Sequence, residues 1–113
     1  MSEVSSPKTQ QLELRIHIFG KPDCGLCEST QRKVEFFLAK WNLAGQVPVR
    51  FFDTTTVDGL AEGAYYDATE TPTTLVLTNG HVVGRWHAAV PPSEELRQAL
   101  ARPFISDTGA TGP

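Results

Sequence analysis

The segment from Leu12 to Cys27, LELRIHIFGKPDCGLC, decides the fold, because the hydrophobic pattern changes within it. Leu12 to Phe19 alternates strictly, which predicts a β-strand with Leu12, Leu14, Ile16 and Ile18 on one face. Gly20 to Asp23 interrupts the strand. From Cys24 to about Trp41, apolar residues recur at helical spacing, with Leu26 in the predicted apolar stripe. The two cysteines therefore fall where a strand gives way to a helix.

Cys24 and Cys27 are the only cysteines in the chain. At a spacing of three in a helical first turn, their sulfurs lie close enough to form a disulfide or to clasp a metal. Cys24 also falls at the partly positive N-terminus of the helix, which favours thiolate over thiol. We interpret Cys24 as a nucleophile and Cys27 as the thiol that resolves the mixed disulfide.

Length and composition limit the possible function classes. A chain of 113 residues with 40% hydrophobic and 20% charged residues is long enough for one domain with one core. A net charge of -3 argues against nucleic-acid binding. The polar start has no signal-peptide pattern, and no apolar run could cross a membrane. We expect a monomeric cytoplasmic protein with flexible ends, 1–11 and 103–113, around a domain at 12–102.

Downstream of the cysteines, the patterns predict alternating strands and helices. They indicate a buried parallel strand at Val49–Asp53, a weak helix at Val57–Asp67, strands at Thr73–Thr78 and His81–Trp86 joined by an Asn79-Gly80 turn, and a last helix capped by Ser93 and ended by Pro103. The order β-α-β-α-β-β-α predicts an α/β fold, with a four-stranded mixed sheet and helices on both faces. A site is then expected at the carboxyl ends of the parallel strands, where the cysteines fall.

On these residues the chain resembles the thioredoxin superfamily. The run Lys21-Pro22-Asp23-Cys24-Gly25-Leu26-Cys27 after a strand resembles glutaredoxin-like redoxins, and Thr71-Pro72-Thr73 followed by a hairpin is similar to the second half of thioredoxin. The resemblance spans Leu14 to Leu100. It implies a thioredoxin-like fold, a cis-proline at Pro72 beside the sulfurs, and a substrate-binding backbone at Thr71.

The chain departs from the family pattern at three places. Asp23 stands where typical thioredoxins have Trp, and the middle of the motif is Gly-Leu instead of Gly-Pro. The Gly-Gly with which glutaredoxins hold glutathione is missing. The resemblance therefore implies an electron donor such as a thioredoxin-reductase-type flavoprotein, with glutathione less favoured.

Charged neighbours are expected to tune the Cys24 thiolate. Lys21 would favour the thiolate, whereas Asp23 and Glu28 would oppose it. We therefore expect a moderately lowered Cys24 pKa, which suits a reductant better than a strong oxidant.

The predicted function is a thiol–disulfide oxidoreductase that reduces disulfides of protein substrates and needs no bound cofactor. Two alternatives stay open. One is a metal- or iron–sulfur-binding glutaredoxin-like module, with His81 and His87 as conceivable further ligands. The other is a non-catalytic interaction domain of the same fold. His17, on the polar face of the first strand, is interpreted as a structural histidine whose hydrogen bonds are satisfied.

Overall fold

The computed structural model describes residues 13–101. The predicted flexible ends and Pro103 lie outside the described residues. The elements are β1 (Leu14–Gly20), α1 (Gly25–Lys40), β2 (Val49–Asp53), α2 (Val57–Tyr65), β3 (Thr73–Thr78) and β4 (His81–His87), followed by α3, described over 93–101. Leu96 N–H donates to the Pro92 carbonyl at 2.9 Å, so Pro92 occupies the N-cap position of α3, one residue before the predicted Ser93. No helix within 13–101 combines the length and apolar character needed to span a membrane.

The strands form one sheet in the order β2-β1-β3-β4. β1 runs parallel to β2 and antiparallel to β3, and β3 and β4 form an antiparallel hairpin. Asn79 and Gly80 join that hairpin with φ angles of 53° and 86°, the left-handed pair that a tight two-residue turn requires. The predicted four-stranded mixed sheet is confirmed.

The larger hydrophobic core lies between one face of the sheet and the helices α1 and α3. Its buried members are Ile16, Ile18, Val34, Leu38, Val47, Val76, Leu96, Ala99 and Leu100. Trp86 packs against this core and donates its indole N–H to Glu95 Oε1 at 2.8 Å, which fixes β4 to α3.

A second core lies on the opposite face, under α2. It contains Phe19, Phe52, Ala68, Leu75 and Leu77, with Tyr66 against it. α2 approaches this face closely because two of its residues are glycines. A Cβ on Gly59 would overlap the Asp53 carbonyl oxygen, and one on Gly63 would lie 2.9 Å from the Ala68 carbonyl oxygen. Helices therefore cover both faces, as predicted.

Two predictions about burial were wrong. β2 was expected to be a buried strand, but it pairs only with β1 among the described strands, and Arg50 and Phe51 are exposed. His17 was placed on a polar face, but that face is the second core and His17 is 3% exposed. Its ring centroid lies 4.9 Å from that of Phe52 and 5.6 Å from that of Tyr66.

Neither ring nitrogen of His17 has a hydrogen-bond partner within residues 13–101. Burial lowers the pKa of His17 from 6.5 to about 4, and the nearby charges of Arg50 and Arg15 act in the same direction. His17 is therefore neutral in the folded protein at neutral pH. It is a buried core residue, but the expectation that its hydrogen bonds are satisfied is wrong for the described residues.

Acid should destabilise the fold through His17. Because the pKa of His17 in the folded state (about 4) lies below its unfolded value of 6.5, the unfolded chain alone binds the proton between those values. The contribution of neutral His17 to the free energy of unfolding is intact above pH 6.5. It is lost as the pH falls towards 4, by up to about 3 kcal/mol. Urea unfolding between pH 4 and 7 measures this loss.

The matched variants are His17→Leu and, for the exposed His81, His81→Leu. The first should flatten the pH dependence in this window, and the second should leave it as in the wild type. An identical slope in wild type and His17→Leu would contradict the assignment.

Gly59→Ala should weaken the docking of α2. The new methyl group would overlap the Asp53 carbonyl oxygen. Although alanine favours a helix by about 1 kcal/mol over glycine, overpacking against backbone costs about 1–3 kcal/mol or more. We expect a net loss in the free energy of unfolding, measured by urea denaturation. Gly25→Ala is the control, since a Cβ there has no atom within 4 Å; equal stabilities of the two variants would refute this account.

Candidate active site

The two cysteines stand at the first turn of α1. Cys24 is the N-cap residue, with an extended backbone (φ -118°, ψ 102°), and its Sγ accepts a hydrogen bond from Cys27 N–H at 3.0 Å. This N–H is one of the unpaired donors at a helix N-terminus. A negative charge on Cys24 Sγ is therefore stabilised by both the hydrogen bond and the helix dipole.

Cys24 and Cys27 are joined by a disulfide, with their Cα atoms 5.2 Å apart. The two residues differ in access to solvent. Cys24 is half-buried, whereas Cys27 is only 1% exposed. An external sulfur can therefore approach Cys24, while Cys27 is reached only from within the protein.

Gly20, the last residue of β1, lets Cys27 lie against the end of the sheet. A Cβ at Gly20 would be 3.0 Å from Cys27 Sγ and 2.8 Å from Phe51 Cζ. The sequence analysis did not identify Gly20 as a site residue. The available signal was a glycine that ends an apolar strand just before the cysteine motif.

The strand register brings the Thr71–Pro72 loop to the same place. Gly20 pairs with Asp53 on one side, and Phe19 pairs with Thr73 on the other, so Pro72 lies beside Gly20. The Thr71–Pro72 peptide bond is cis. The site therefore lies at the carboxyl end of β1, between the end of β2 and this loop.

Hydrogen bonds hold the loop on both sides of Thr71. The Pro72 carbonyl accepts from Ala88 N–H at 2.7 Å, and Thr73 Oγ1 donates to the Glu70 carbonyl at 2.6 Å. Thr71 is half-buried and makes no hydrogen bond to another residue of 13–101. Its backbone groups are thus available to a second chain.

Lys21 and Asp23 lie just before Cys24, between β1 and α1. Asp23 adopts φ 59°, where the chain turns from β1 into α1. Neither side chain forms an ion pair with any residue between 13 and 101. Their effect on the Cys24 thiolate stays a prediction.

Asp53 is the last residue of β2 and precedes the turn into α2. Its Oδ1 accepts from the Thr55 hydroxyl at 2.6 Å and from the Thr55 N–H at 2.9 Å, and these bonds lower the pKa of the carboxyl. Thr56 is the N-cap of α2. Asp53 therefore shapes the turn before α2, and its side chain does not cap the helix itself.

The two histidines considered as metal ligands lie apart. His81 pairs with Thr78, whereas His87 pairs with Thr73, six residues further along β4 and about 20 Å away. His87 Nδ1 lies 3.2 Å from Thr73 Oγ1, at the end of the sheet where Thr73 pairs with Phe19. Within 13–101, no three His, Cys, Asp or Glu side chains are grouped for metal binding. His81 therefore cannot share a metal with the cysteines of its own chain.

Two apolar side chains near the disulfide are open to solvent. Leu26 is 43% exposed and Phe51 is 39% exposed. The prediction that Leu26 belongs to the apolar stripe of α1 was wrong, because Cys27 occupies the buried position instead. Phe51 was not recognised from the sequence as a neighbour of the site.

No protein-family model and no curated protein matches the chain in sequence. Solved structures do match it. The oxidised thioredoxin from Plasmodium falciparum is 24% identical over 90% of each chain, with a TM-score of 0.58. The thioredoxin of Fasciola hepatica is 22% identical over 88% of each chain, with a TM-score of 0.62. A thioredoxin from Halobacterium salinarum, solved as a point mutant, is 19% identical, covering 92% of this chain and 84% of its own, with a TM-score of 0.61.

The chain therefore has the thioredoxin-like fold, and the resemblance to the thioredoxin superfamily is confirmed at the level of the fold. It carries its Cys-x-x-Cys pair at the first turn of α1, directly after the central parallel strand. These identities are too low to carry the partners of those thioredoxins over to this chain.

Gly20→Ala should make the disulfide easier to reduce. The added methyl group would lie 3.0 Å from both Cβ and Sγ of Cys27. The contact with Cβ is the same in both redox states, whereas the contact with Sγ is relieved when a free thiol rotates away, so the disulfide form is destabilised more. We expect a less negative reduction potential, by about 30 mV for each tenfold change in the equilibrium. Equilibration in defined dithiol buffers, followed by counting of alkylated thiols, measures it.

Gly25→Ala is again the control, because its new Cβ meets nothing within 4 Å. The thermal unfolding of the reduced variants shows whether the fold persists. If Gly20→Ala keeps the wild-type potential, the close approach of Cys27 to Gly20 has no redox consequence.

Proposed function

We propose that the chain is a thiol–disulfide oxidoreductase that reduces protein disulfides through the Cys24–Cys27 couple. The observation that carries the proposal is the unequal environment of the two sulfurs. Cys24 is accessible, caps a helix and accepts a backbone hydrogen bond, whereas Cys27 is buried within bonding distance of it. An accessible stabilised thiolate beside a protected thiol suits two-step disulfide exchange.

In the first step, the Cys24 thiolate attacks one sulfur of the substrate disulfide. The substrate S–S bond breaks, a mixed disulfide with Cys24 forms, and the departing sulfur leaves as a thiolate that takes a proton from water. The hydrogen bond from Cys27 N–H lowers the energy of the attacking thiolate.

In the second step, Cys27 loses its proton and attacks Cys24 Sγ. The mixed disulfide breaks, the second substrate sulfur leaves and accepts a proton, and Cys24 and Cys27 are joined. Two electrons have then passed to the substrate. An external dithiol or a thioredoxin-reductase-type flavoprotein returns the protein to its dithiol form, so the chemistry needs no bound cofactor.

The Thr71–Pro72 loop would hold the substrate chain during these steps. Thr71 precedes Pro72, which the register brings opposite Gly20, the neighbour of Cys27, and the backbone groups of Thr71 make no hydrogen bond within 13–101. An extended substrate segment can therefore pair with it as an added strand would. This placement supports Thr71 and Pro72 as the substrate-binding residues.

The reducing direction suits a cytoplasmic protein, since thiol pools there keep dithiols reduced. The exposed apolar side chains of Leu26 and Phe51 next to the sulfurs suit a protein substrate better than a small thiol. We therefore favour a protein disulfide as the substrate.

Single-cysteine variants test the mechanism. Cys24→Ser should lower the dithiothreitol-driven reduction of insulin disulfides to the uncatalysed rate, because the nucleophile is gone. Cys27→Ser should accumulate a covalent mixed disulfide with the substrate, since nothing resolves it, and non-reducing mass spectrometry detects this complex.

The control is the double variant, which should form no adduct. Adduct formation on Cys27 in the Cys24→Ser variant would reverse the assigned roles. Wild-type protein that never accelerates disulfide reduction would overturn the proposal in favour of a non-catalytic domain.

A further inference from the structure

We infer that the outer face of α1 selects protein substrates that carry a carboxylate and an apolar side chain next to their disulfide. The α1 outer face is defined here by Leu26, Ser29, Arg32, Lys33 and Phe36. The inference deepens the proposed function and rests on it, because a surface beside Cys24 selects substrates only if Cys24 exchanges disulfides.

Helical spacing places the α1 outer face away from the core. The buried side of α1 contains Cys27, Thr30, Val34 and Leu38. Ser29, Lys33 and Phe36 follow one another at intervals of four and three, so they form a continuous row in which Ser29 is half-buried and Lys33 and Phe36 are exposed. Leu26 lies one turn before Ser29 and begins this row beside the disulfide.

Apolar surface is exposed at both ends of the row. Phe36 is 59% exposed and Leu26 is 43% exposed. The Phe36 ring meets Phe37 edge to face, with centroids 5.9 Å apart. Ser29, Arg32, Lys33 and Phe36 line a shallow depression of about 300 Å³. An exposed aromatic ring at a depression is a common anchor point for a protein partner.

The two cations of the α1 outer face are not paired internally. Neither the Arg32 nor the Lys33 side chain makes an ion pair or a hydrogen bond with any residue of 13–101. Glu28 and Glu35 stand four residues before and three after Arg32, but neither comes within 4.0 Å of it. By helical geometry both carboxylates lie on the opposite flank from Lys33. Arg32 has these two carboxylates as helical neighbours, whereas Lys33 has none, so Lys33 is the unbalanced cation on the side of α1 that continues from Leu26, although the chain as a whole carries -3.

This charge predicts the chemistry of the partner. A segment with a carboxylate pairs with Lys33 or Arg32, and an apolar side chain beside it covers Phe36. Lys33 lies nine residues from Cys24, which is about 13 Å along the helix axis and half a turn around it, so a bound segment must also pass around the helix. That path is about 20 Å, which an extended chain covers in about six residues. The selecting carboxylate should therefore stand about six residues from the attacked cysteine.

Two matched peptides test the inference. Each contains one disulfide and a leucine next to the variable position, and they differ only in Glu or Lys about six residues from the cysteine. The wild type should reduce the Glu peptide with a kcat/KM about fivefold higher, the size expected for exposed charge pairs. The preference should shrink as salt is raised, because salt screens such pairs.

Variants on one helix give the control. Lys33→Glu should reverse the preference between the peptides. Lys40→Glu makes the same charge change seven residues further along α1, about 10 Å from Lys33, and should leave the preference as in the wild type. Equal effects of the two variants would show a response to net charge alone and would overturn the inference.

The outcomes also separate this inference from the proposed function. If both peptides are reduced at equal rates, the α1 outer face does not select substrates, and the proposed oxidoreductase function still holds. If neither peptide is turned over, the proposed function fails. In that case, tighter binding of the Glu peptide would identify the α1 outer face as the contact of a non-catalytic domain and would overturn its role in substrate selection.

Discussion

The contact between Cys27 and Gly20 is the constraint on which the site depends. Because Gly20 has no side chain, the first turn of α1 lies directly on the end of β1, and the buried sulfur fills the space that a Cβ would need. That position turns the N-terminus of α1 towards the edge of the sheet, where Cys24 caps it. The hydrogen bond from Cys27 N–H to Cys24 Sγ follows from the same placement, since the N-cap position points its side chain back at the first turn. Gly20 thus allows Cys27 Sγ to be buried against β1, while Cys24 Sγ stays half-buried at the end of the helix.

The sheet brings the remaining parts of the site together through its register. β1 is a central strand, so its last residue has a neighbour on each side, the end of β2 and the start of β3. The Thr71–Pro72 loop enters β3 at that level, and the Ala88 N–H binds the Pro72 carbonyl from the end of β4. α2 reaches the same edge from the other face, and its glycines allow it to approach the backbone of Asp53. Residues that are far apart in sequence therefore meet at one edge of the sheet, because the register of the strand pairs fixes where the strands end.

The local hydrophobic pattern of the sequence predicted the bounds of strands well, but it predicted the burial of individual residues less well. The bounds of β2 and β3 agree with the prediction, because short apolar runs between turn residues define strands locally. Cys24 and Cys27 could be identified because their chemistry and spacing are visible in the sequence. The burial of His17 could not, since its alternation with apolar residues implied a solvent face, and only the packing of α2 on the second core covers it. Gly20 and Phe51 were missed for the same reason, because their roles depend on contacts between elements.

In the proposed function, α1 carries the cysteines at its N-terminus and contacts the substrate with its outer face. A helix that buries Cys27, Thr30, Val34 and Leu38 must expose the residues between them, and those positions are free to vary without loss of the core. Core packing does not require the exposed Phe36 or the adjacent Arg32 and Lys33. Since the helix starts at Cys24, anything bound along its outer face is held at a fixed distance from the reactive sulfur. Such a helix joins the reactive thiol and a selecting surface in one rigid element, so specificity can change by substitution on the outer face while the redox couple stays as it is.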